Sequence, residues 1–131
     1  MIVDSSAVIA VLRDEADAAS FARAIARATK RRISAVNYVE AAAVIDGGRD
    51  PIASRRFDDF LREAEIEIAA VTATQAKIAR EAYRDFGKGS GHQARLNFGD
   101  CVAYALARES GEPLLFKGTD FAHTDLGSAL E

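Results

Sequence analysis

The sequence predicts an α/β fold with a mostly parallel sheet covered by helices on both faces. Three observations lead there. Short apolar runs recur along the chain, at Ile2-Val3, around Ile33, at Glu65 to Ala69 and at Leu114-Leu115-Phe116. Longer segments between them repeat their apolar residues at helical spacing. Turn-forming breaks at Gly47-Gly48-Arg49-Asp50-Pro51 and Gly87-Lys88-Gly89-Ser90-Gly91 punctuate the pattern. Strands alternating with helices imply right-handed crossovers and parallel pairing. In such sheets ligands collect beyond the carboxyl ends of the strands, so functional side chains are sought there.

The elements follow in order. Ile2-Val3 begins a buried strand, and Ser6 to Leu12 starts a helix that breaks at Arg13-Asp14-Glu15. Between Ala16 and Ala28, Phe21 and Ile25 stand four apart, which suits a helix. After the polar run Lys30-Arg31-Arg32, Ile33 marks a second strand. Ser34 is placed to cap a helix through Ile45 that Gly47 closes. Pro51 suits the first turn of the next helix, whose Phe57, Phe60, Leu61 and Ala64 fall at i, i+3, i+4, i+7. Glu65 to Ala69 alternates polar and apolar, as a strand with one wetter face does. Thr74 to Phe86 is helical, with Ala79, Ala82, Tyr83 and Phe86 on one stripe. Asn97 caps a helix to about Ser110, Gly111 ends it, and Leu114 to Phe116 is the last strand.

With 131 residues the chain is long enough for one domain, 1–131, and its 49% hydrophobic content supports a packed core rather than disorder. No apolar run approaches the ~20 residues that span a bilayer, so no membrane contact is expected. The first residues lack a basic lead and a small-residue cleavage site, so no signal peptide is expected. Cys101 is the only cysteine, which excludes an internal disulfide and suits a reducing cytoplasm. Two histidines and one cysteine cannot form the usual zinc cage. The net charge of −3 argues against a general nucleic-acid coat protein, but it is compatible with a site built from carboxylates.

Four acids stand out. Asp4 directly follows the first strand, where by itself it reads as a helix cap. Glu40 shares the spacing of Val36, Val39 and Ala43, so it falls on the apolar stripe of its helix, where an unpaired carboxylate is costly. Asp100 shares a face with Ala103 and Ala107, one turn after Asn97. Asp120 follows the last strand by four residues, a position that also suits a turn. Two acids after strands and two on inward helix faces can all reach one sheet edge. Carboxylates so close cannot all ionise without a cation between them. Oxygen ligands favour a hard ion, Mg²⁺ or Mn²⁺, which suits phosphate chemistry.

These residues resemble the PIN domains. Asp4-Ser5-Ser6-Ala7 looks like their opening Asp-x-Ser/Thr-Ala, and Glu40, Asn97-Phe98-Gly99-Asp100 and Gly118-Thr119-Asp120-Phe121 continue the pattern. Leu96 to Ala107 and Leu114 to Asp125 look especially like VapC-type toxins. The resemblance implies a three-layer α/β/α sandwich and a Mg²⁺-dependent endoribonuclease leaving 5′-phosphate and 3′-hydroxyl ends. It implies that Asp4, Glu40, Asp100 and Asp120 are the catalytic, metal-binding acids, with Ser6 and Asn97 supporting them. Gly118 stands where many members carry a further acid. The resemblance also implies an RNA substrate, a cognate VapB-type antitoxin and a homodimer.

RNA backbone requires positive charge. Lys88, His92, Arg95 and Lys117 are the candidates, whereas Arg80 and Arg84 read as ordinary solvated charges. His123 reads as a surface residue and Cys101 as a packing residue. Val8, Ile9, Val11, Leu12 and Phe21 offer more apolar surface than one core face needs, which suggests a groove for the antitoxin. Two rivals remain: a receiver-like phosphoacceptor domain and a catalytically idle binding module. The receiver needs an aspartate at the end of the middle strand, and Ala69-Ala70-Val71-Thr72 has none. An idle module has no reason to keep four acids.

Overall fold

A computed structural model describes residues 1–130. Four strands form one sheet: β1 (Ile2–Val3), β2 (Arg31–Ser34), β3 (Ile66–Ala69) and β4 (Leu114–Leu115). Their order is β3-β2-β1-β4 and every pairing is parallel. Ile2 pairs with Leu114 and Val3 with Leu115. The chain works outward from β1 through β2 to β3, then returns to add β4 on the other side of β1. The direction of winding therefore reverses between β1 and β4, and the crevice at such a reversal is where α/β sheets bind ligands.

Six helices cover the sheet: α1 (Ser5–Leu12), α2 (Ala18–Arg27), α3 (Ala35–Gly47), α4 (Pro51–Glu63), α5 (Ala73–Phe86) and α6 (Phe98–Ser110). Because side chains alternate across a pleated strand, neighbouring strand residues feed two cores. Val3, Ile33, Ile66 and Leu115 pack with Phe21, Ile45, Phe57 and Leu61 of α2, α3 and α4. Ile2 and Leu114 pack with Ala82, Ala103, Tyr104 and Leu106 of α5 and α6. The three-layer α/β/α expectation is met. The last residues add a cover: Leu114 N–H donates to the Gly127 carbonyl at 3.1 Å and Ala129 N–H to the Leu114 carbonyl at 3.0 Å. This closes the outer edge of β4.

Three expectations need correction. The buried stripe of α3 is Asn37, Ala41 and Ile45, while Ala43 is exposed and Val39 is 62% exposed. Ala35–Gly47 is apolar on nearly every side, so spacing alone could not choose a face; docking against α1 and α4 did. On α5, Ala82 is buried but Tyr83 points outward. Near the N-terminus, Val8 and Phe21 belong to the core, and Ile9, Val11 and Leu12 pack against it. Much of that surface packs within the fold, and Ile9, Val11 and Leu12 keep part of theirs exposed.

Arg31 explains how the basic run before β2 is used. Its guanidinium donates to the carbonyls of Ile25 at 2.5 Å, Ala28 at 2.8 Å and Ala64 at 3.1 Å. These are orphan carbonyls at the ends of α2 and α4, where a cation also meets the negative end of each helix. Arg31→Met should lower the stability by about 2 kcal/mol in urea denaturation, and Arg31→Lys, whose compact ammonium cannot span the separate carbonyls, should recover only part of it.

Candidate active site

The site lies at the reversal between β1 and β4. The backbone N–H of Asp4 donates to the Leu115 carbonyl at 2.9 Å, which fixes Asp4 just beyond both strands. Its carboxylate caps α1: Oδ2 accepts from Ser6 N–H at 3.0 Å and from Ser6 Oγ at 2.6 Å. Ser6 Oγ in turn accepts from Lys117 N–H at 3.0 Å, so one hydroxyl ties the segment after β4 to Asp4. Asp4 is 3% exposed, and its Oδ1 has no hydrogen-bond partner among the described residues.

The electrostatics follow from that burial. Loss of water pushes the Asp4 carboxyl up to about 6, the two Ser6 bonds oppose the shift, and the charges of Asp100 and Glu40 add to it. Asp100 is also pushed up to about 6, first by burial and then by the charges of Asp120 and Glu40, against the bond from Asn97. Asp4 therefore feels the charges of Asp100 and Glu40, and Asp100 those of Asp120 and Glu40.

Each acid is held differently. Glu40 Oε1 accepts from Ser5 Oγ at 2.5 Å, so adjacent serines hold two acids, Ser5 on Glu40 and Ser6 on Asp4. Asn97 and Asp100 form a reciprocal capping box: Asp100 N–H donates to Asn97 Oδ1 at 2.8 Å, and Asn97 N–H to Asp100 Oδ2 at 2.9 Å. Asp120 opens a short 3-10 turn, Asp120–His123, and is exposed. Gly118 precedes it with φ +95°. That conformation is costly for any side chain with a Cβ, so this loop is shaped against an extra acid there.

Among the described residues, no three His, Cys, Asp or Glu side chains already stand close enough to hold one ion. The acids converge without forming a closed cage. The donor set is nonetheless all oxygen, and among the described residues Asp4 Oδ1 has no hydrogen-bond partner and no basic side chain pairs with these acids. The residues fit a hard divalent cation.

The predicted cations fare unevenly. Lys117 pairs with Glu15 at 2.7 Å and with Asp17 at 3.5 Å. His92 Nδ1 accepts from Ala94 N–H at 3.0 Å, and its ring meets Phe86 edge-on at 4.9 Å. Both contacts help to shape the 87–96 loop. That loop is pinned at its base, where Lys88 N–H donates to the Leu96 carbonyl at 2.8 Å and Leu96 N–H to the Phe86 carbonyl at 2.9 Å. Lys88 and Arg95 remain exposed on it. Arg84 pairs with Asp85 at 3.0 Å, as an ordinary surface charge does. Cys101 is buried with its thiol pushed up to about 11, which makes it inert.

Sequence analysis missed Ser5 and Asn37. Ser5 was overlooked because the motif drew attention to Ser6. Asn37 carried a usable signal: a polar residue on the same turn-to-turn row as Ala41 and Ile45 must find buried partners.

A parallel α/β domain with carboxylates near its winding reversal has the layout of a nuclease that acts on phosphodiesters. The PIN domain family model matches residues 1–126. Ribonuclease VapC28 of Mycobacterium tuberculosis is 56% identical over 131 residues, covering 100% of this chain and 98% of that protein. Ribonuclease VapC42 of the same species is 49% identical over 129 residues, covering 98% of each. A crystal structure of Mycobacterium tuberculosis VapC20, a Sarcin-Ricin loop cleaving toxin, superposes with TM-score 0.73 over 95% of each chain at 18% identity, which supports the fold. The chain belongs to the PIN-domain family, among its VapC-type ribonucleases.

The burial of Asp4 sets a pH dependence. Folded Asp4 holds its proton up to about 6, while the unfolded group releases it near 3.8. The folded state thus binds more protons between these values, and stability falls as pH rises through that window. In EDTA at pH 7.5, Asp4→Asn should stabilise the protein by up to about 3 kcal/mol, a gain that shrinks towards pH 4. Thermal melts at both pH values measure it.

Proposed function

We propose that this chain is a divalent-metal-dependent endoribonuclease, with Mg²⁺ or Mn²⁺ held by Asp4, Glu40, Asp100 and Asp120, and that it is the toxin of a toxin–antitoxin pair. The carrying observation is the buried Asp4 carboxylate, whose Oδ1 lacks a partner while two further acids raise its pKa. When bound, such an ion supplies Lewis acidity toward phosphate and lowers the pKa of water. The chain's own residues do the positioning. Ser6 occupies Oδ2 of Asp4 and leaves Oδ1 for a ligand. Ser5 orients Glu40, and the capping box fixes Asp100 at the start of α6. Lys88 and Arg95, exposed on the loop leading into Asn97, meet the RNA backbone.

The partners follow the same line. A VapB-type antitoxin is the natural counterpart of a VapC-type ribonuclease. A second copy of this chain suits the apolar groove of about 470 Å³ lined by Val36, Val71, Ala79, Tyr83, Phe98 and Val102, where Phe98 is 73% exposed. No helix is long and apolar enough to cross a membrane. One buried, unpaired thiol suits the cytoplasm.

Purified protein should cut RNA with Mg²⁺ or Mn²⁺ and stop in EDTA. Asp4→Asn and Asp100→Asn should each lower the rate by more than the roughly 10–100-fold typical of outer-shell changes. Cleavage that persists in EDTA refutes the metal-dependent mechanism.

A further inference from the structure

Asn37 is 0% exposed, on the face of α3 that meets α6. Its Nδ2 donates to the Gly99 carbonyl at 3.0 Å and to Glu40 Oε1 at 3.4 Å. Gly99 immediately precedes Asp100, so one buried amide bridges the helix carrying Glu40 and the helix carrying Asp100. Gly99 explains why the bridge can be so close. A Cβ at that position would lie 2.2 Å from Glu40 Oε2, well inside contact distance. Glycine weakens a helix relative to alanine, and here it opens the space that the Glu40 carboxylate fills. Ser5 Oγ holds the same carboxylate from α1. Glu40 is thus clasped by α1, α3 and α6 at once.

We propose that Asn37 is a positioning residue that, with Gly99 and Ser5, sets Glu40 against Asp100 for joint binding of a divalent cation. The inference rests on the metal-site assignment proposed above. Asn37 acts through Glu40 and through the start of α6, being too buried to touch RNA. Its Oδ1 is buried without a donor among the described residues, so an apolar side chain of the same size should be tolerated by the fold.

Calorimetric titration with Mn²⁺ tests the proposal on wild type, Asp4→Asn and Asn37→Leu. Asn37→Leu should bind Mn²⁺ about 10–100-fold more weakly. Its melting midpoint in EDTA should not fall, and cleavage should lose kcat with KM for RNA unchanged. Wild-type Mn²⁺ affinity in Asn37→Leu, beside weakened binding in Asp4→Asn, overturns this inference alone. Undiminished binding in Asp4→Asn overturns the metal site and the inference with it. A double-mutant cycle checks the contact independently of packing at Asn37. Gly99→Ala should weaken Mn²⁺ binding and lower the melting midpoint in the wild type, yet raise the midpoint in Glu40→Ala, where alanine is simply the better helix former. A lowered midpoint in both backgrounds overturns the assignment of Gly99.

Discussion

Asp4 sits where β1 ends, almost wholly out of water, with one carboxylate oxygen satisfied by Ser6 and the other by nothing. An arrangement of this kind is unfavourable to the apo fold, because burial penalises the charge and Glu40 and Asp100 add to the penalty. The rest of the structure is arranged around that constraint. The parallel pairing of β1 with β4 brings the segment after β4 to Ser6, the first turn of α1 supplies both serines, and the cap of α6 delivers Asp100.

The acids are not restrained alike. Asp4, Glu40 and Asp100 are tied by hydrogen bonds to the starts of helices or to a neighbouring helix, and Asp120 stands exposed on a short turn. The nearby positive charge is arranged differently: Lys117 pairs with Glu15 and Asp17, and Lys88 and Arg95 are exposed on the 87–96 loop.

Much of this was legible in the chain. The strands and helices fell close to their expected places because each carries a local signal: an apolar run, a helical period, a cap such as Asn97 or a stop such as Gly111. Asp4 and Asp100 stood out in the chain beside a strand end and in a first helical turn, whereas the stripe that singled out Glu40 is not the buried face of α3. Where local signals were degenerate, the expectations failed. The α3 sequence is apolar nearly all round, and the apolar residues of α1 suit either a core or a partner.

The amino-acid order by itself determined the alternation of elements and the parallel α/β class, since period and capping act over a few residues. Only the tertiary structure decided which face of α3 is buried, that Lys117 and His92 are committed within the fold, and that Ser5, Asn37 and Gly99 converge on Glu40. Those outcomes depend on which helices meet at the sheet edge. Ser5, the Asn37–Glu40 turn of α3 and Gly99 become neighbours only when distant segments of the chain pack together, and no local pattern records that meeting.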